Sequence, residues 1–397
     1  MVRFAHIADV HLGGWKQQPM QDLNFESFKA AIEICLNSKL EFVLFSGDLF
    51  DSAYPSIEIL KETFAQFKKL KDAGIPCFII AGSHDYSVSG KTFLDVLEKA
   101  GFCKNVYLPE ERENLIVLNP VVFGSVAIYG YPGKKSGLEV QDLKNVRFND
   151  APGLYKIFML HTTIDDVAGN IPIETVNPDR LPKADYYAMG HIHVFYNEKG
   201  FVYPGPLFPN NFKELEDLKQ GTFVIVDAEP SPQGKGLSTK VQRVKLPTKQ
   251  IEHLVIEVED ALTGTEKIIY ELNKRDIKDK VILLRIYGEL RRGKTSDIKF
   301  TQIEDFVKTK GAYFLLRNTH DLLSQEEEVE FKVPEKDSEN IEEDTIKVYS
   351  DENPSSFNSI IAELMNILSI EKQEGETVET FNNRLIVGTK KFFKPQK

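Results

Sequence analysis

Five short clusters of Asp and His, each placed where an apolar run ends, constrain this chain more than any other feature. Arg3-Phe4-Ala5-His6-Ile7-Ala8 runs into Asp9-Val10-His11, and Phe42-Val43-Leu44-Phe45-Ser46 runs into Gly47-Asp48. Cys77 to Ala81 runs into Gly82-Ser83-His84-Asp85, Lys156 to Leu160 into His161, and Asp185 to Met189 into Gly190-His191-Ile192-His193. Short apolar runs bounded by turn residues read as buried strands. Open α/β sheets and sandwiches place their sites at the carboxyl ends of such strands. The chain has eight histidines, and five of them fall in these clusters. Carboxylates and imidazoles together hold divalent transition metals. One Gly-Asp pair is only a turn and a lone His is commonly a packed residue, but five coincidences in order are not expected by accident.

The intervening segments read as amphipathic helices. Phe25, Phe28, Ala31, Ile32 and Leu36 mark one face, Ile59, Leu60, Phe64, Phe67 and Leu70 a second, and Phe93, Leu94, Val96 and Leu97 a third. Strands alternating with helices give an α/β fold, here a layered sandwich of two β-sheets flanked by helices. Thr222 to Val226 and Lys240 to Val244 read as a hairpin about the turn-forming stretch at 230–236. Residues 250–320 form a second, small α+β unit: strands at Leu254 to Val258, Lys280 to Tyr287 and Ala312 to Arg317, and helices at Glu266 to Lys274 and Phe300 to Thr309. Residues 321–350 hold eleven acids against three bases and have no periodicity, so they read as an acidic linker. Residues 351–397 read as a helical hairpin: Phe357, Ile360, Ile361, Leu364 and Leu368 make one apolar stripe, and Val378, Phe381 and Leu385 another. The expected organisation is thus 1–249, 250–320, 321–350 and 351–397.

At 397 residues the chain exceeds one ordinary core. No run reaches the ~18 apolar residues of a membrane span, and the first strand carries a motif rather than a signal peptide. Cys35, Cys77 and Cys103 are scattered and read as reduced thiols, so an intracellular location is expected, cytoplasm or nucleoid. The net charge of −11 argues at first against nucleic acid. Most of it sits in 321–350, which leaves local basic faces free to meet phosphate. Those candidates are Lys16, Lys134 and Lys135 in a Gly-flanked loop, and Arg291, Arg292 and Lys294 in the second unit. Each reads equally as a solvated turn.

The motifs His6-Ile7-Ala8-Asp9-Val10-His11-Leu12-Gly13, Ser46-Gly47-Asp48-Leu49-Phe50-Asp51 and Met189-Gly190-His191-Ile192-His193 resemble the calcineurin-like metallophosphoesterases. Within them, the chain is similar to the DNA double-strand-break repair nucleases called meiotic-recombination-eleven in archaea and eukaryotes and SbcD in bacteria. The resemblance implies two divalent ions, Mn²⁺ by family preference, although this donor chemistry also permits Fe or Zn. It implies Asp48 as the shared ligand, Asp9, His11 and His193 on one ion, and His161 and His191 on the other. His84 matches the residue that contacts the scissile phosphate and assists the leaving oxygen. Asp85 either orients His84 or serves as an N-cap or turn residue; Asp51 either supports a ligand or caps a helix; His6 reads as a satisfied core residue. The sequence departs from the family at Ser83, where an Asn oxygen is expected on the second ion, so either the hydroxyl coordinates or water replaces it.

The implied activity is Mn-dependent exonuclease and endonuclease cleavage of DNA at double-strand breaks. A small-molecule phosphoesterase and a DNA-end-binding scaffold with weakened activity are the alternatives. The implied partners are DNA, a coiled-coil ABC-type repair ATPase bound through Phe357, Ile361, Leu364, Leu368, Phe381 and Leu385, and a second copy of the chain. Leu60, Phe64, Phe93 and Leu97 are the candidate dimer contacts, with packing in the chain's own core as the other reading of the same helices.

Overall fold

The computed structural model describes residues 2–397 apart from 88–89, 91, 113, 135, 170–173, 231–236, 325–357, 361–362, 365–366, 368–369, 371–377 and 391–397. Along the first half run β1 (Val2–Ile7), α1 (Gln18–Asn37), β2 (Phe42–Ser46), α2 (Ile57–Asp72), β3 (Cys77–Ile80), α3 (Leu94–Lys99) and β4 (Lys104–Asn105). Then follow β5 (Pro109–Arg112), β6 (Leu115–Leu118), β7 (Val121–Phe123), β8 (Val126–Tyr131), α4 (Glu139–Leu143), β9 (Val146–Phe148), β10 (Tyr155–His161) and α5 (Asp165–Ala168). The sandwich is completed by β11 (Tyr186–Gly190), β12 (Phe195–Glu198), β13 (Phe201–Pro204), α6 (Phe212–Leu218), β14 (Thr222–Pro230) and β15 (Leu237–Lys245).

Two six-stranded sheets carry the site, in the orders β15-β14-β1-β2-β3-β4 and β12-β13-β11-β10-β8-β7. The fold is the layered α/β arrangement read from the sequence. Side chains alternate across each strand with period two. Val2 and Phe4 of β1 face the layer between the sheets, with Phe42, Leu44, Met159 and Ala188. Ala5 and Ile7 face the other way, onto Phe28 and Ala31 of α1 and Phe67 of α2. Both faces of the inner strands are covered, which is why they read as unbroken apolar runs. The strands β1, β2 and β3 are mutually parallel, as are β8, β10 and β11. Parallel pairing brings their carboxyl ends, and the motifs that follow, to shared edges.

A further sheet is built from β16 (Ile251–Glu257), β17 (Val281–Leu290), β18 (Phe314–Asn318) and β19 (Leu322–Ser324), with α7 (Ala261–Asn273) and α8 (Phe300–Thr309) against it. Its other face shares a core with the sandwich: Val281, Leu283 and Leu316 pack with Trp15, Met20, Leu23, Phe208 and Leu215. Residues 1–325 accordingly form one compact unit. Residues 322–324 were expected to begin the acidic linker and are instead β19, because Leu322 buries itself in the module's core. The rest of that linker lies outside the described residues, as do Phe357, Ile361 and Leu368. Leu364 is described, and Phe381 and Leu385 lie on α9 (Val378–Lys390), within the separate unit 326–397. Among the described residues, no helix is long and apolar enough to cross a membrane.

The dimer expectation needs one correction. Leu97 is fully buried with Leu94, Phe45 and Phe67. The short α3 uses it to seal the chain's own core, so it is not available to a second copy. Leu60, Phe64 and Phe93 are partly buried against that same cluster.

A candidate two-metal centre

The backbone at the motif turns is unusual before any side chain is considered. Asp9, His11, Asp48 and His191 all hold positive φ, at 53°, 47°, 49° and 94°. Non-glycine residues rarely occupy this region, and strain of this kind gathers at functional sites. Hydrogen bonds enforce it: Asp9 N donates to Gly47 O, and the amides of Val10 and His11 both donate to Asp48 O. Two glycines are dictated by space. A Cβ on Gly47, itself at φ 89°, would stand 2.2 Å from His161 Nδ1, and one on Gly82 would stand 2.1 Å from Asp48 Oδ1.

The turns bring together Asp9, His11, Asp48, His84, His161, His191 and His193. Their donor atoms form three groups, each within 4.8 Å internally: Asp9 with His11 and His193, Asp48 with His161 and His191, and His11 with Asp48 and His84. Asp48 stands between the first two. Its Oδ2 lies 3.7 Å from His11 Nε2, 3.2 Å from His161 Nε2 and 3.5 Å from Ser83 Oγ, while its Oδ1 accepts the His84 amide at 2.8 Å.

The outer nitrogens decide what the rings offer inward. His161 Nδ1 donates to Ser46 O at 2.9 Å, since a carbonyl can only accept. His11 Nδ1 donates to Asp51 Oδ1 and His193 Nδ1 to Glu214 Oε1, both at 3.0 Å. Each of these three rings therefore presents Nε2 to the centre, the tautomer that metal-ligating histidines take when a carboxylate or carbonyl holds the other nitrogen. The Nε2 atoms of His11 and His193 face each other at 3.1 Å. Asp9 Oδ2 and His161 Nε2 are buried without a hydrogen-bond partner. Buried polar atoms are normally satisfied. Converging lone pairs and orphaned carboxylate and imidazole atoms fit divalent cations shared across Asp48, and mixed oxygen and nitrogen donors suit Mn, Fe or Zn.

Without an ion, a proton on the cluster takes the place of the cation charge. Burial works against charging His161, yet the Asp48 and Asp9 carboxylates push it up to about 10. Burial likewise opposes ionisation of Asp48, but His161 and His11 hold it well below the usual carboxylate range. Burial raises Asp9 despite the nearby histidines. His191 is lowered to about 4, by burial and then by His161. Perturbation this dense is typical of functional clusters.

Other expectations find different partners. Asp85 does not touch His84; its carboxylate accepts the backbone amides of Leu49 at 3.3 Å, Phe50 at 3.0 Å and Gly82 at 2.9 Å. It ties two motif turns together, the turn-residue reading, and burial pushes its pKa up to about 6. The group beside His84 is Asp51, whose carbonyl accepts from His84 Nδ1 at 3.0 Å. Asp51 caps no helix, because α2 begins at Ile57 with Ser56 as its cap. His6 is satisfied in the core, by Tyr186 Oη at 2.9 Å and Met189 O at 3.1 Å, and burial lowers its pKa to about 3.

Two supporting residues carried no signal in the sequence. Glu214, on α6, holds His193, and Asn210 N donates to its other oxygen at 2.8 Å. Asn210 Nδ2 also donates to Asp51 at 3.3 Å. Lys134 pairs with Asp142, and its loop reaches the site: a Cβ on Gly133 would meet His161 Cδ2 at 2.6 Å. Lys135 lies outside the described residues. Lys16 is exposed; Arg291 and Arg292 are exposed beside Glu259 and Asp260, and Lys294 caps the turn through Asp297.

Residues 2–195 match the family model described as calcineurin-like phosphoesterase. The chain carries a calcineurin-like phosphoesterase domain. It is similar to the DNA double-strand break repair protein Mre11 of Methanosarcina acetivorans, at 25% identity over 78% of this chain and 49% of that protein. It is similar to the Mre11 of Archaeoglobus fulgidus at 26% identity, over 83% of this chain and 77% of the relative. The uncharacterized metallophosphoesterase YhaO of Bacillus subtilis is 29% identical over 54% of this chain and 55% of its own length. The chain spans about half the length of the Methanosarcina relatives it matches.

Proposed function

We propose that this phosphoesterase domain is a two-metal DNA phosphodiesterase with exonuclease and endonuclease activity, that it works with Mn²⁺, and that it serves double-strand-break repair. The observation that carries the reading is Asp48, a buried carboxylate standing between two sets of ligand atoms. One such group can offset charge on both ions. In this reading Asp9, His11 and His193 hold one ion and His161 and His191 the other, with Asp48 shared and Ser83 beside it. Bound divalent ions supply positive charge to phosphate oxygens and lower the pKa of water.

The chain's own residues then orient and exchange protons. Asp51, Glu214 and the Ser46 carbonyl hold three imidazoles in the Nε2-inward tautomer. His84 is half exposed at the rim, and its Nδ1–H is committed to Asp51 O. Its Nε2 is the atom left to give a proton to a leaving oxygen, the role of a general acid. Phosphate contacts from Lys16, Lys134, Lys135, Arg291, Arg292 and Lys294 would position a strand without reading its sequence. Similarity to proteins named for DNA double-strand break repair supports DNA as the substrate. The motif resemblance further implies a coiled-coil ABC-type ATPase bound through 351–397 and pairing of two copies near Leu60, Phe64 and Phe93.

The test is cleavage of single- and double-stranded DNA by the purified chain with Mn²⁺, against a small phosphodiester such as bis-p-nitrophenyl phosphate. Mn-dependent DNA cleavage is expected. Turnover of the small ester with intact DNA would overturn the nuclease reading in favour of a small-molecule phosphodiesterase.

A further inference from the structure

The second module reaches the metal centre through one short helix. The amino end of α6 is fixed at the site: Glu214 Oε1 bonds His193 Nδ1 at 3.0 Å, and Asn210 joins Glu214 to Asp51, which holds His11. Asn211 caps the helix by accepting from Glu214 N at 2.9 Å. Two residues beyond Glu214, Glu216 points to the second module. Arg285 of β17 grips its carboxylate with two bonds, at 3.0 and 2.7 Å, and His253 Nε2 of β16 lies 2.8 Å from Oε1. Asp321 holds the far side of Arg285 at 3.1 Å, and the guanidinium stands 5.4 Å from the centre of the Phe212 ring. The Glu216 side chain is 7% exposed, so this is not a loose surface pair. The apolar side of α6 is clamped too, since Leu215 packs with Leu283 and Leu316 of the module.

A bidentate Arg–carboxylate bond fixes direction as well as distance. We infer that the Glu216–Arg285 clamp lets the second module set the positions of His193 and His11, and hence the affinity of the ion they share with Asp9. Glu216 and Arg285 are positioning residues, acting through Glu214. The inference rests on the metal reading above. His161 and His191 are held from β10 and the loop after β11 and, among the described residues, make no hydrogen bond or ion pair with α6, so their ion feels the module only through the shared Asp48 and through Asp9.

The experiment titrates Mn²⁺ into the metal-free full chain by calorimetry. The step missing from His193→Ala identifies the coupled ion. Partners of metal ligands typically change affinity by about 10–100-fold when lost. Glu214→Gln is expected to weaken that one step by about 10-fold, and Arg285→Ala and Glu216→Gln by about 3-fold or more, with the other step moving less than about 2-fold. Arg285→Lys restores the charge but not the fork and should fall between Arg285→Ala and wild type. Arg317→Ala breaks a module pair with Glu304, 3.0 Å long, on the face of β18 turned to α8 rather than the face Leu316 packs on Leu215, and should move neither step. Equal weakening of both steps in Arg285→Ala, or of neither, overturns the link. A wild-type chain that takes up no Mn²⁺ refutes the metal reading instead. The link is then read from the nitrogen-15 resonances of the His193 ring in metal-free protein. They must shift in Arg285→Ala and not in Arg317→Ala, and an unmoved ring overturns it.

Discussion

Replacing Asp48 by asparagine keeps the shape of the side chain and removes its charge, which separates two consequences of the same carboxylate. The first concerns the metal-free protein. Asp48 Oδ2 lies 3.2 Å from His161 Nε2, and both side chains are essentially inaccessible to water. Against burial, this pair, with the Asp9 carboxylate and the Ser46 carbonyl behind it, raises His161 from 6.5 to about 10. A group whose folded pKa is raised contributes stability that is fully present below its unfolded pKa and lost as pH climbs through the folded value. At about 1.4 kcal/mol per pH unit, the window from 6.5 to 10 carries about 5 kcal/mol. That agrees with the ~3–5 kcal/mol cost of breaking one partner of a buried ion pair. In Asp48→Asn the ring keeps only the Asp9 carboxylate, 3.9 Å from Nδ1, against its burial, and sheds its proton at lower pH, because a poorly paired buried charge is costly. Urea unfolding with chelator present should therefore show the variant about 3–5 kcal/mol less stable at pH 6.5, with the gap closing towards pH 10. The second consequence is loss of Mn-dependent cleavage and of most metal uptake, since the shared ligand is gone. Parallel stability curves across that window would refute the ion-pair argument, and undiminished Mn-dependent cleavage would refute the two-metal assignment.

His84→Ala should lower cleavage by about 10²–10⁴-fold, the usual worth of a general acid, while calorimetry still finds both Mn²⁺ steps; a missing step would make His84 a ligand. Ser83→Asn places a longer neutral oxygen beside Asp48 and should tighten the ion held by His161 and His191; an unchanged or weaker step would mean the serine already suits this site. Removing residues 351–397 should leave Mn-dependent cleavage intact and greatly weaken capture of a coiled-coil ABC-type ATPase, and unaltered binding would place the docking element elsewhere. Leu60→Asp should shift a dimer to monomer in light scattering, whereas Leu97→Asp, set in the core, should instead lower the unfolding temperature.

The parts legible in the sequence were those governed by local rules. Phe42–Ser46 and Phe300–Thr309 have the bounds read from the sequence, β3 differs by a residue at one end, and β1, β10 and β11 differ by a residue at each end. Strands covered on both faces must be apolar throughout, so their ends are sharp, and a turn that must bend at once needs Gly47 or Gly82. Asp85 was harder. Its neighbour in sequence is His84, but a carboxylate one position along a tight turn points elsewhere, and two of its three donors are amides 35 and 36 residues earlier. Leu97 was left between two readings, dimer contact and core, for a related reason. A six-residue helix shows too little periodicity to say whether its stripe meets its own sheet or a second copy.

The tier of residues that fixes the tautomers is where the sequence showed least: it offered Asp51 as the support of some ligand, without saying which, and offered nothing at Glu214. Glu214 sits 21 positions from His193 and Asp51 sits 40 from His11, on segments whose local patterns serve other ends. Glu214 reads as an ordinary acid in the first turn of a capped helix. Its partner is set by the path of the chain from β13 into α6, which in turn depends on Leu207 N bonding Asp9 O and Trp15 Nε1 bonding Pro209 O. Ligands can be read from a sequence because several must lie at strand ends in a fixed order. The groups that orient them need only arrive at the right place in space, from any element that passes. The second module illustrates the point: nothing in Arg285 or His253 marks them as other than surface charges, yet folding places both on Glu216, one helical turn from the helix end that holds His193.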